Sequence, residues 1–356
     1  MINVALIGFG SIAQNLHLPL LNNHPELNLS AVSSSRPELV ASKLPEAKCY
    51  ASPDELLAAS DADLVVVTTP NQYHYPLAMK ALKSGRHVVV EKPVALHLKE
   101  IQDLQRQAEQ QDVQLFPFHN RRWDGDFQTV AQLIANKQLG EIKRFESNFD
   151  RFIPAPKSKW KEQPGPGSGL WVDLGPHLLD QALYLFGSPE AITARVLNTR
   201  SGSAVDDYFN VQLHYADKEV LLAASNHNAA PVKRFDIQGT KGTFVKYGMD
   251  VQEEQLQAGM ALDHESYGQD QENNHGTLYT IDKTDKTELE TLSEQTIPTL
   301  RGSYIEFYEQ VAQAIRYESQ SPVSIKAAAE VARFLQLGLL SQKQGKTIKV
   351  RQYREE

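Results

Sequence analysis

The chain has one cysteine, Cys49, so it cannot form an internal disulfide. Such cysteine usage is typical of a protein that folds in a reducing compartment, and we expect a cytoplasmic location. No run of about 18 apolar residues is present, and the first ten residues lack the basic stretch of a signal peptide. The sequence therefore predicts neither a membrane span nor a secretory leader.

An excess of positive charge is also lacking. The 356 residues include 36 Lys and Arg against 44 Asp and Glu, which gives a formal net charge of −8. This balance argues against a protein that coats nucleic acid or an anionic membrane, although a local basic patch can still hold a phosphate. With 41% hydrophobic and 22% charged residues, the composition is globular and sufficient for two domains with separate cores.

The N-terminus has the pattern of a dinucleotide-binding turn. Residues 2–7 are almost all apolar and predict a strand, G-F-G-S-I-A follows at once, and a helical pattern extends to Leu21. Gly8 would permit the sharp turn, and Gly10 would let the backbone approach a pyrophosphate at the helix N-terminus. The residues expected to contact the cofactor here are Gly8, Gly10, Ser11 and Ile12.

The second predicted strand, LNLSAVSS, ends where an NAD-specific fold places an acidic residue on the ribose. Here the residues are Ser34, Ser35 and Arg36. Small hydroxyls leave room for a 2′-phosphate and an arginine can pair with it, so we expect NADP (NADPH) rather than NAD. Ser35 could also serve as the N-cap of a helix that begins near Pro37, and the two interpretations are compatible.

Two more apolar strands, at Leu64–Val67 and His87–Val90, alternate with helical patterns. This alternation predicts a doubly wound parallel sheet, in which ligands bind at the carboxyl ends of the strands. Lys92 lies at such an end, where burial and a neighbouring charge can tune its pKa. Its bond to Pro93 is either a cis peptide or an ordinary strand-ending proline. The cofactor contacts expected at these ends are Thr69, Pro70, Asn71, Glu91 and Lys92.

We place a domain boundary at about residue 120, with a Rossmann domain over 1–120 and a second domain over 121–356. Asn120 and Arg122, in H-N-R-R-W-D, belong either to a linker or to the rim of the cofactor and substrate site. Strand patterns dominate after Gly140 and predict an α+β domain with a large, open, mostly antiparallel sheet. The polar residues 260–299 form a loop-like segment with room for two short edge strands, and the helices predicted over 304–341 either stay in this domain or pack back on the first.

The stretch Gly167–Gly187 predicts a largely apolar helix with a narrow polar stripe. Asp173, His177 and Asp180 follow one another at i, i+4 and i+7, and Tyr184 closes the row. The stripe contains no Lys, Glu or Arg, which favours a stripe that faces a cavity rather than bulk water. The alternative is a surface stripe on a half-buried helix. Asp180 is expected at the edge of the stripe, in a supporting role.

Three motifs together resemble the glucose–fructose oxidoreductase/inositol dehydrogenase (Gfo/Idh/MocA) family: G-F-G-S-I-A, E-K-P at 91–93 and D-L-G-P-H-L-L-D at 173–180. The segments 119–124 and 239–248 are similar to its NADP-dependent scyllo-inositol dehydrogenase branch. The resemblance implies a Rossmann domain and an α/β domain whose sheet mediates contacts in a homodimer or homotetramer. Ser168 replaces a glycine that is common in relatives, which affects the path of the loop.

The family's catalytic residues match Lys92, Asp173 and His177, and the resemblance implies hydride transfer to or from a polyol, cyclitol such as scyllo-inositol, or sugar. His177 would move the hydroxyl proton, Lys92 would stabilise alkoxide charge, and Asp173 would hold a neighbouring hydroxyl. Loops near 150–170 and 260–300 would shape the pocket. The expected substrate contacts are Lys92, Asn120, Arg122, Asp173 and His177.

Three alternatives stay open at this point. A non-catalytic NADP-binding regulator would keep the nucleotide turn but has no need of Lys92, Asp173 and His177 together. An NAD-dependent glycosidase can use the same fold. Asp173 and His177, at i and i+4, could ligate a metal, but no HExxH pattern accompanies them, and we expect no metal.

Overall fold

The computed structural model describes residues 1–157, 159–282 and 291–352. The chain forms two compact units. The first consists of Met1–Trp123, Gln252–Tyr267 and Ser303–Ala332, and the second of Asp124–Val251, the described part of 268–302 and the described residues from Arg333 onward. The segments 252–267 and 303–332 contribute apolar side chains to the core of the first unit, including Leu256, Phe307 and Val311.

The helices and strands have the following bounds, in chain order. The α-helices are α1 (Leu18–Asn22), α2 (Pro37–Lys43), α3 (Pro53–Ala59), α4 (His74–Lys83), α5 (Leu98–Gln110), α6 (Gly125–Ala135), α7 (Leu170–Phe186), α8 (Gln252–Gln257), α9 (Ile305–Tyr317) and α10 (Ile325–Gln344). The strands are β1 (Ile2–Ile7), β2 (Leu27–Ser33), β3 (Lys48–Tyr50), β4 (Leu64–Val67), β5 (His87–Glu91), β6 (Leu115–Phe118), β7 (Ile142–Asn148), β8 (Ala191–Leu197), β9 (Tyr208–His214), β10 (Glu219–Ser225), β11 (Lys233–Gly239), β12 (Thr243–Tyr247), β13 (Gly276–Asp282), β14 (Thr291–Ile297) and β15 (Ile348–Lys349). None of the helices described combines the length and apolarity needed to cross a bilayer.

The first unit is built on a six-stranded parallel sheet with the order β3-β2-β1-β4-β5-β6. Alternate side chains of β1 enter different cores: Val4 and Leu6 pack on one face with α9, and Ala5 and Ile7 pack on the other with α4 and α5. Because both faces are covered, the strands are continuous apolar runs in the sequence. The predicted doubly wound parallel sheet is confirmed.

The strand order of this sheet reverses between β1 and β4, which lie side by side in parallel register. The carboxyl ends of these two strands therefore meet at the point where doubly wound sheets bind their ligands. Gly8 follows β1 directly, and Thr68 and Thr69 follow β4. The fold thus brings the glycine turn and the second strand end, which are 60 residues apart in the chain, to the same crevice.

The second unit is built on a nine-stranded sheet with the order β14-β13-β12-β11-β7-β10-β9-β8-β15, in which only the β7–β10 pairing is parallel among the described strands. Helix α7 packs on β9 and β10, with the rings of Trp171 and Phe209 5.0 Å apart. Buried and half-exposed residues alternate along β9 and β10, so the sheet has one open face. The predicted α+β domain is confirmed, and the expected contacts between copies through this sheet stay a prediction.

The polar segment 260–299 contains the two edge strands for which the sequence left room. Strands β13 and β14 pair over seven residues each and form the edge of the nine-stranded sheet, where polar side chains can face water. Residues 283–290, between these strands, lie outside the described residues. Helix α6 was not predicted, because its apolar residues Phe127, Val130 and Leu133 make a short pattern beside stronger strand patterns.

Trp171 fixes the start of α7 in the second unit. Its side chain is fully buried, and its indole N–H donates to the Leu335 carbonyl at 3.0 Å. The indole lies between two glycines, Gly175 on α7 and Gly338 on α10, where an added Cβ would come within 2.7 Å of ring carbons. The absence of both side chains makes room for the ring, and the ring in turn sets the position of the residues that follow it on α7.

Replacing Gly338 by Ala should lower the free energy of unfolding. The added Cβ would lie 2.7 Å from Trp171 Cζ2, and Gly175 confines the other side of the indole. Overpacking typically costs about 1–3 kcal/mol, whereas the helix propensity of Ala returns at most about 1 kcal/mol. If the propensity term returns about 1 kcal/mol, urea unfolding should show a net loss of up to about 2 kcal/mol.

Gly165→Ala is the matched control, because a Cβ at Gly165 meets no atom within 4 Å. Its midpoint in urea should stay close to that of the unchanged chain. A Gly338→Ala protein as stable as the control would show that the space around Trp171 is not filled.

Candidate functional site

The glycine turn of the first unit is tight at its first glycine and open at its second. Gly8 has a φ of +94°, donates its N–H to the Ser33 carbonyl at 3.0 Å, and accepts from Thr68 Oγ1 at 2.9 Å. A Cβ on Gly8 would lie 3.1 Å from Thr69, whereas one on Gly10 would enter open space. Gly10 therefore leaves the room that a pyrophosphate needs to approach the backbone. Ser11 and Ile12 are exposed in the first helical turn after it.

A cavity of about 220 Å³ adjoins this turn and is lined by residues of 7–9 and 33–36 and by Ala51, Pro53 and Thr69. Its described lining offers hydroxyls and one guanidinium but no carboxylate. Arg36 Nη2 donates to the Phe9 carbonyl at 2.5 Å, and its backbone N–H donates to Ser34 Oγ at 3.1 Å. The Thr69 hydroxyl is buried with no hydrogen-bond partner in the part of the chain described. These groups fit the adenosine and ribose phosphate of a dinucleotide.

Ser35 does not cap the following helix. Helix α2 begins at Pro37, its N-cap is Arg36, and no side chain accepts a hydrogen bond from its first turn. The interpretation of Ser35 as an N-cap is therefore wrong, because the helix begins one residue later and Arg36 occupies the N-cap position. The exposed side chains of Ser35 and Arg36 stay available to a ligand at the rim of the cavity.

Lys92 is anchored through its neighbour Glu91, at the end of β5. Glu91 Oε1 lies 3.0 Å from His17 Nε2, His17 Nδ1 lies 2.6 Å from the Tyr308 hydroxyl, and Glu91 Oε2 accepts from the Lys92 backbone at 3.0 Å. Burial alone would raise the pKa of Glu91, but the hydrogen bond and charge of His17 outweigh it and the pKa lies below its ordinary value. Glu91, predicted to bind cofactor, thus holds the backbone that carries Lys92.

His74 ties the two strand ends of the site together. Its Nδ1 lies 2.7 Å from the Pro93 carbonyl and its Nε2 lies 2.7 Å from the Thr69 carbonyl. Burial lowers the pKa of His74, and the two carbonyls oppose that shift. The Lys92–Pro93 bond is cis, which is one of the two alternatives left open by the sequence. Lys92 and Thr69 are therefore held at a fixed spacing by a buried imidazole.

The other predicted contacts of the first unit lie in short turns. Asn71 is buried at the start of a 3₁₀ turn that Pro70 precedes, and Asn120 is buried in a second turn that contains the half-exposed Arg122. Arg121, which lies between Asn120 and Arg122 in the sequence, pairs with Glu253 of α8 at 2.5 Å. The cofactor contacts of Pro70 and Asn71 and the substrate contacts of Asn120 and Arg122 stay predictions.

The polar stripe of α7, a helix of the second unit, is mostly buried. The side chain of Asp173 is 20% exposed, and His177 and Asp180 are only 6% and 3% exposed. The alternative of a half-buried surface stripe is therefore wrong for His177 and Asp180, and the supporting role of Asp180 at the edge of the stripe stays a prediction. Tyr184 is 59% exposed, so it does not continue the stripe into the interior. The predicted proximity of Lys92 to Asp173 and His177 joins residues of the two units and stays a prediction.

A buried arginine supports this stripe from the sheet. Arg234 Nη2 donates to Gln181 on α7 at 2.8 Å, its Nε pairs with Asp126 at 3.2 Å, and its Nη1 donates to Ser147 at 2.5 Å. The guanidinium is stacked between Phe149 and Phe235, with centroid distances of 4.2 and 4.0 Å. The ring of Phe149 also lies 6.2 Å from that of His177. Arg234 thus fixes α7 one turn after His177.

Sequence reasoning missed Arg234 because the strand alternation is broken at this residue. The register of β11 shifts between Lys233 and Phe235, so Arg234 and Phe235 are both buried. His17 was missed as well. It lies in the helical turn Ala13–His17 directly before α1, among the buried Leu16 and Leu20, and a polar residue in such an apolar pattern can be recognised in the sequence. Lys161 had no such signal: its ammonium lies 2.5 Å from Asp173 Oδ1, twelve residues further along the chain.

Asp206 caps the N-terminus of α7 from a distant loop. Its Oδ2 accepts from the Trp171 N–H at 2.6 Å, and its carbonyl accepts from the Leu170 N–H at 2.9 Å. Gly169, with a φ of +95°, lets the carboxylate approach, since a side chain there would collide with Asp206 Oδ1. Burial raises the pKa of Asp206 to about 6. The cap therefore retains a charge that burial disfavours.

Asp206→Asn should change the pH dependence of stability. The folded chain binds the Asp206 proton more tightly than the unfolded chain, because burial raises this pKa from 3.8 to about 6. The stabilising contribution of that proton is complete below a pH of about 4 and is lost as the pH rises through about 6. Asn does not titrate. The free energy of unfolding of the variant, relative to that of the unmodified chain, should therefore rise by about 1–3 kcal/mol as the pH increases from about 4 to about 7.

Urea unfolding at a series of pH values measures this difference directly. The Asn carboxamide keeps an acceptor for the Trp171 N–H, so the comparison isolates the charge from the hydrogen bond. Parallel pH profiles for the two proteins would contradict the raised pKa of Asp206.

The described residues contain no group of three or more His, Cys, Asp or Glu side chains able to hold a metal ion. Asp173 and His177 therefore have no third such ligand among them.

Comparisons with known proteins agree with this arrangement. Residues 2–119 match the profile described as "Oxidoreductase family, NAD-binding Rossmann fold", and residues 131–350 match "Oxidoreductase family, C-terminal alpha/beta domain". The chain is 38% identical over 347 residues to the uncharacterized oxidoreductase YdgJ of Escherichia coli, with 98% of each chain covered. It is 35% identical over 347 residues to the scyllo-inositol 2-dehydrogenase (NADP(+)) IolW of Bacillus subtilis, with 98% of this chain and 95% of IolW covered.

Solved structures show the same architecture. The oxidoreductase yvaA from Bacillus subtilis superimposes with a TM-score of 0.93 at 34% identity, with 98% of each chain covered. An oxidoreductase from Yersinia pestis gives a TM-score of 0.92 at 36% identity, covering 100% of this chain and 98% of its own. With both family profiles matched and a buried Asp/His stripe in the second unit, the chain belongs to the Gfo/Idh/MocA family of oxidoreductases with an NAD(P)-binding Rossmann domain.

Proposed function

We propose that this chain is an NADP-dependent dehydrogenase that acts on a secondary alcohol, or on the corresponding ketone, of a neutral polyol, cyclitol or sugar. The observation that carries the proposal is the α7 stripe, in which the Asp173 carboxylate and the buried His177 imidazole lie one helical turn apart. An imidazole can exchange a proton with a hydroxyl near neutral pH, and a carboxylate can accept a hydrogen bond from a neighbouring hydroxyl. Together they match the reacting carbon and one adjacent carbon of a polyol.

NADP is the proposed cofactor. When bound, it supplies the hydride acceptor or donor for the carbinol carbon. Support comes from the cavity beside Gly8, whose rim holds Ser34, Ser35 and Arg36 in place of an acidic residue. A guanidinium beside small hydroxyls accommodates the 2′-phosphate, which a carboxylate at that position would repel. The relative IolW carries NADP(+) in its name, in agreement with this preference.

The proton chemistry is assigned to residues of both units. His177 accepts the proton of the substrate hydroxyl during oxidation and returns it to the carbonyl oxygen during reduction, a role that typically contributes about 10²- to 10⁴-fold to the rate. Lys92 donates a hydrogen bond to the same oxygen and stabilises its developing negative charge. The hydrogen bond from its backbone to Glu91 holds Lys92 for this role.

The substrate class follows from the number of short polar groups in the proposed pocket. Each hydroxyl that leaves water requires a hydrogen-bonding partner, so a pocket with Asp173, His177 and Lys92 is best matched by a substrate with several hydroxyls. The relative IolW is named as a scyllo-inositol 2-dehydrogenase. We therefore propose scyllo-inositol and scyllo-inosose as the first substrate pair to test.

Arg36→Ala should weaken NADPH binding selectively. Loss of one charge-assisted contact to the 2′-phosphate corresponds to a rise in Kd of about 10- to 100-fold, while the Kd for NADH should change little. Titration by nucleotide fluorescence measures both constants. The control is Arg106→Ala, an exposed arginine on α5, which should leave both constants unchanged. Equal weakening of NADPH and NADH by Arg36→Ala would count against the NADP assignment.

Lys92→Met and His177→Asn should retain NADPH binding but lose turnover by about 10²-fold or more, because each removes a group that acts on the reacting oxygen. Steady-state assays with scyllo-inosose, myo-inosose and common aldoses and ketoses provide the measurement. Lys80→Met, an exposed lysine of α4, is the matched control and should keep full activity. Unchanged turnover in both variants would contradict the catalytic roles of Lys92 and His177. If the unmodified chain binds NADPH but turns over none of these substrates, a non-catalytic regulator is favoured.

A further inference from the structure

The second unit contains a lysine that reaches the α7 stripe from a separate loop. Lys161 lies in a 3₁₀ turn, Trp160–Glu162, and its Nζ is 2.5 Å from Asp173 Oδ1. The side chains of Lys161 and Asp173 are 34% and 20% exposed, so the pair is accessible to a solute from one side. The carboxylate proposed to hold a substrate hydroxyl therefore already has a cation beside it.

The stability of α7 gives little reason for this lysine. Asp173 lies in the first turn of the helix, where the helix dipole favours a carboxylate and disfavours an ammonium. A partly exposed ion pair between flexible side chains contributes only about 0–1 kcal/mol. The start of the helix is already held by the Asp206 cap on Trp171. The pairing thus requires an explanation other than support of the helix.

The loop around Lys161 is held in place by a buried arginine. Arg200 Nη2 donates to Glu162 Oε2 at 3.1 Å, and its Nη1 donates to the carbonyls of Ile153 and Ala155 at 3.1 and 3.3 Å. Its Nε pairs with the buried Asp207 at 2.9 Å. A residue adjacent to Lys161 is therefore fixed to the interior.

The backbone of Lys161 is fixed on its other side as well, since its carbonyl accepts from the Gly169 N–H at 2.9 Å. Gly169 directly precedes α7, so the lysine and the helix that carries Asp173 share one hydrogen-bonded frame. Such a frame reduces the entropy that a ligand must remove when it binds. The ammonium is thus positioned in advance of any substrate.

Resting on the function proposed above, we propose that Lys161 and Asp173 act as one hydroxyl-binding pair that recognises the carbon next to the reacting carbinol. The ammonium can only donate hydrogen bonds and the carboxylate can only accept them, whereas a hydroxyl does both. A hydroxyl placed against the pair satisfies both groups, and the pair keeps a net charge of zero. The pair selects a neutral vicinal diol, or a ketone with an adjacent hydroxyl, over a substrate with a carboxylate at that carbon.

Lys161→Met tests the proposal, because Met has a similar length but no donor. The KM and the calorimetric Kd for the polyol or inosose should rise by about 10- to 100-fold, as expected for the loss of a charged hydrogen-bond donor, while the NADPH Kd and the unfolding midpoint stay unchanged. Lys161→Arg, which keeps the charge and donors, should restore most of the affinity. Lys159→Met removes an exposed lysine of the same loop and should behave like the unmodified chain.

A substrate analogue that lacks the hydroxyl next to the reacting carbon sharpens the test. The unmodified chain should bind this deoxy analogue about 10- to 100-fold more weakly than the full substrate, and Lys161→Met should show a clearly smaller ratio, because only Asp173 is then left to hold the hydroxyl. A merely structural lysine would weaken both ligands alike. Equal discrimination by Lys161→Met and the unmodified chain, or an unchanged KM, would overturn the proposal.

Failure of the underlying function would have a different signature. The unmodified chain itself would then neither oxidise NADPH nor bind any polyol by calorimetry, which would overturn both proposals. Turnover by the unmodified chain together with wild-type-like binding in Lys161→Met would overturn the role of Lys161 alone.

Discussion

The buried guanidinium of Arg234 is the interaction on which the second unit depends. An unpaired charge in a protein interior is very costly, so its donors must all be engaged. Asp126, Ser147 and Gln181 accept from it, and two aromatic rings cover its faces. Because Gln181 belongs to α7, the partners that stabilise the charge also fix the helix that carries His177. Arg234 therefore holds the helix that carries the polar stripe against the sheet.

The first unit is also held by buried, hydrogen-bonded polar side chains, which are smaller than the guanidinium of Arg234. A series of hydrogen bonds runs from Tyr308 through His17 and Glu91 to the backbone of Lys92. His74 lies between the carbonyls that follow β4 and β5. Buried hydrogen bonds of this kind are costly to break, so they keep the strand ends in one arrangement. These buried hydrogen bonds thus help to determine where the proposed catalytic lysine and the end of β4 lie.

The sequence was sufficient for features that depend on local periodicity and insufficient for those that depend on distant partners. Continuous apolar runs predicted the parallel sheet, and the 3.6-residue period predicted α7 and its stripe, because burial imposes these patterns directly. Asp206 caps a helix that begins 36 residues before it, and Lys161 meets Asp173 only through the fold of a loop. Arg234 lies at a register shift of β11, where alternation no longer tells which face a residue occupies. No pattern within a short window encodes such contacts.

In the proposed reaction, this chain exchanges a hydride between NADP and a carbinol carbon. The most direct measurement is a single turnover with NADPH that carries deuterium at nicotinamide C4, in the presence of scyllo-inosose or another ketone of the proposed class, with the product analysed by mass spectrometry. We expect the label on the carbinol carbon of the alcohol product. Recovery of the reduced product without deuterium, from both C4-labelled epimers of the cofactor, would contradict it.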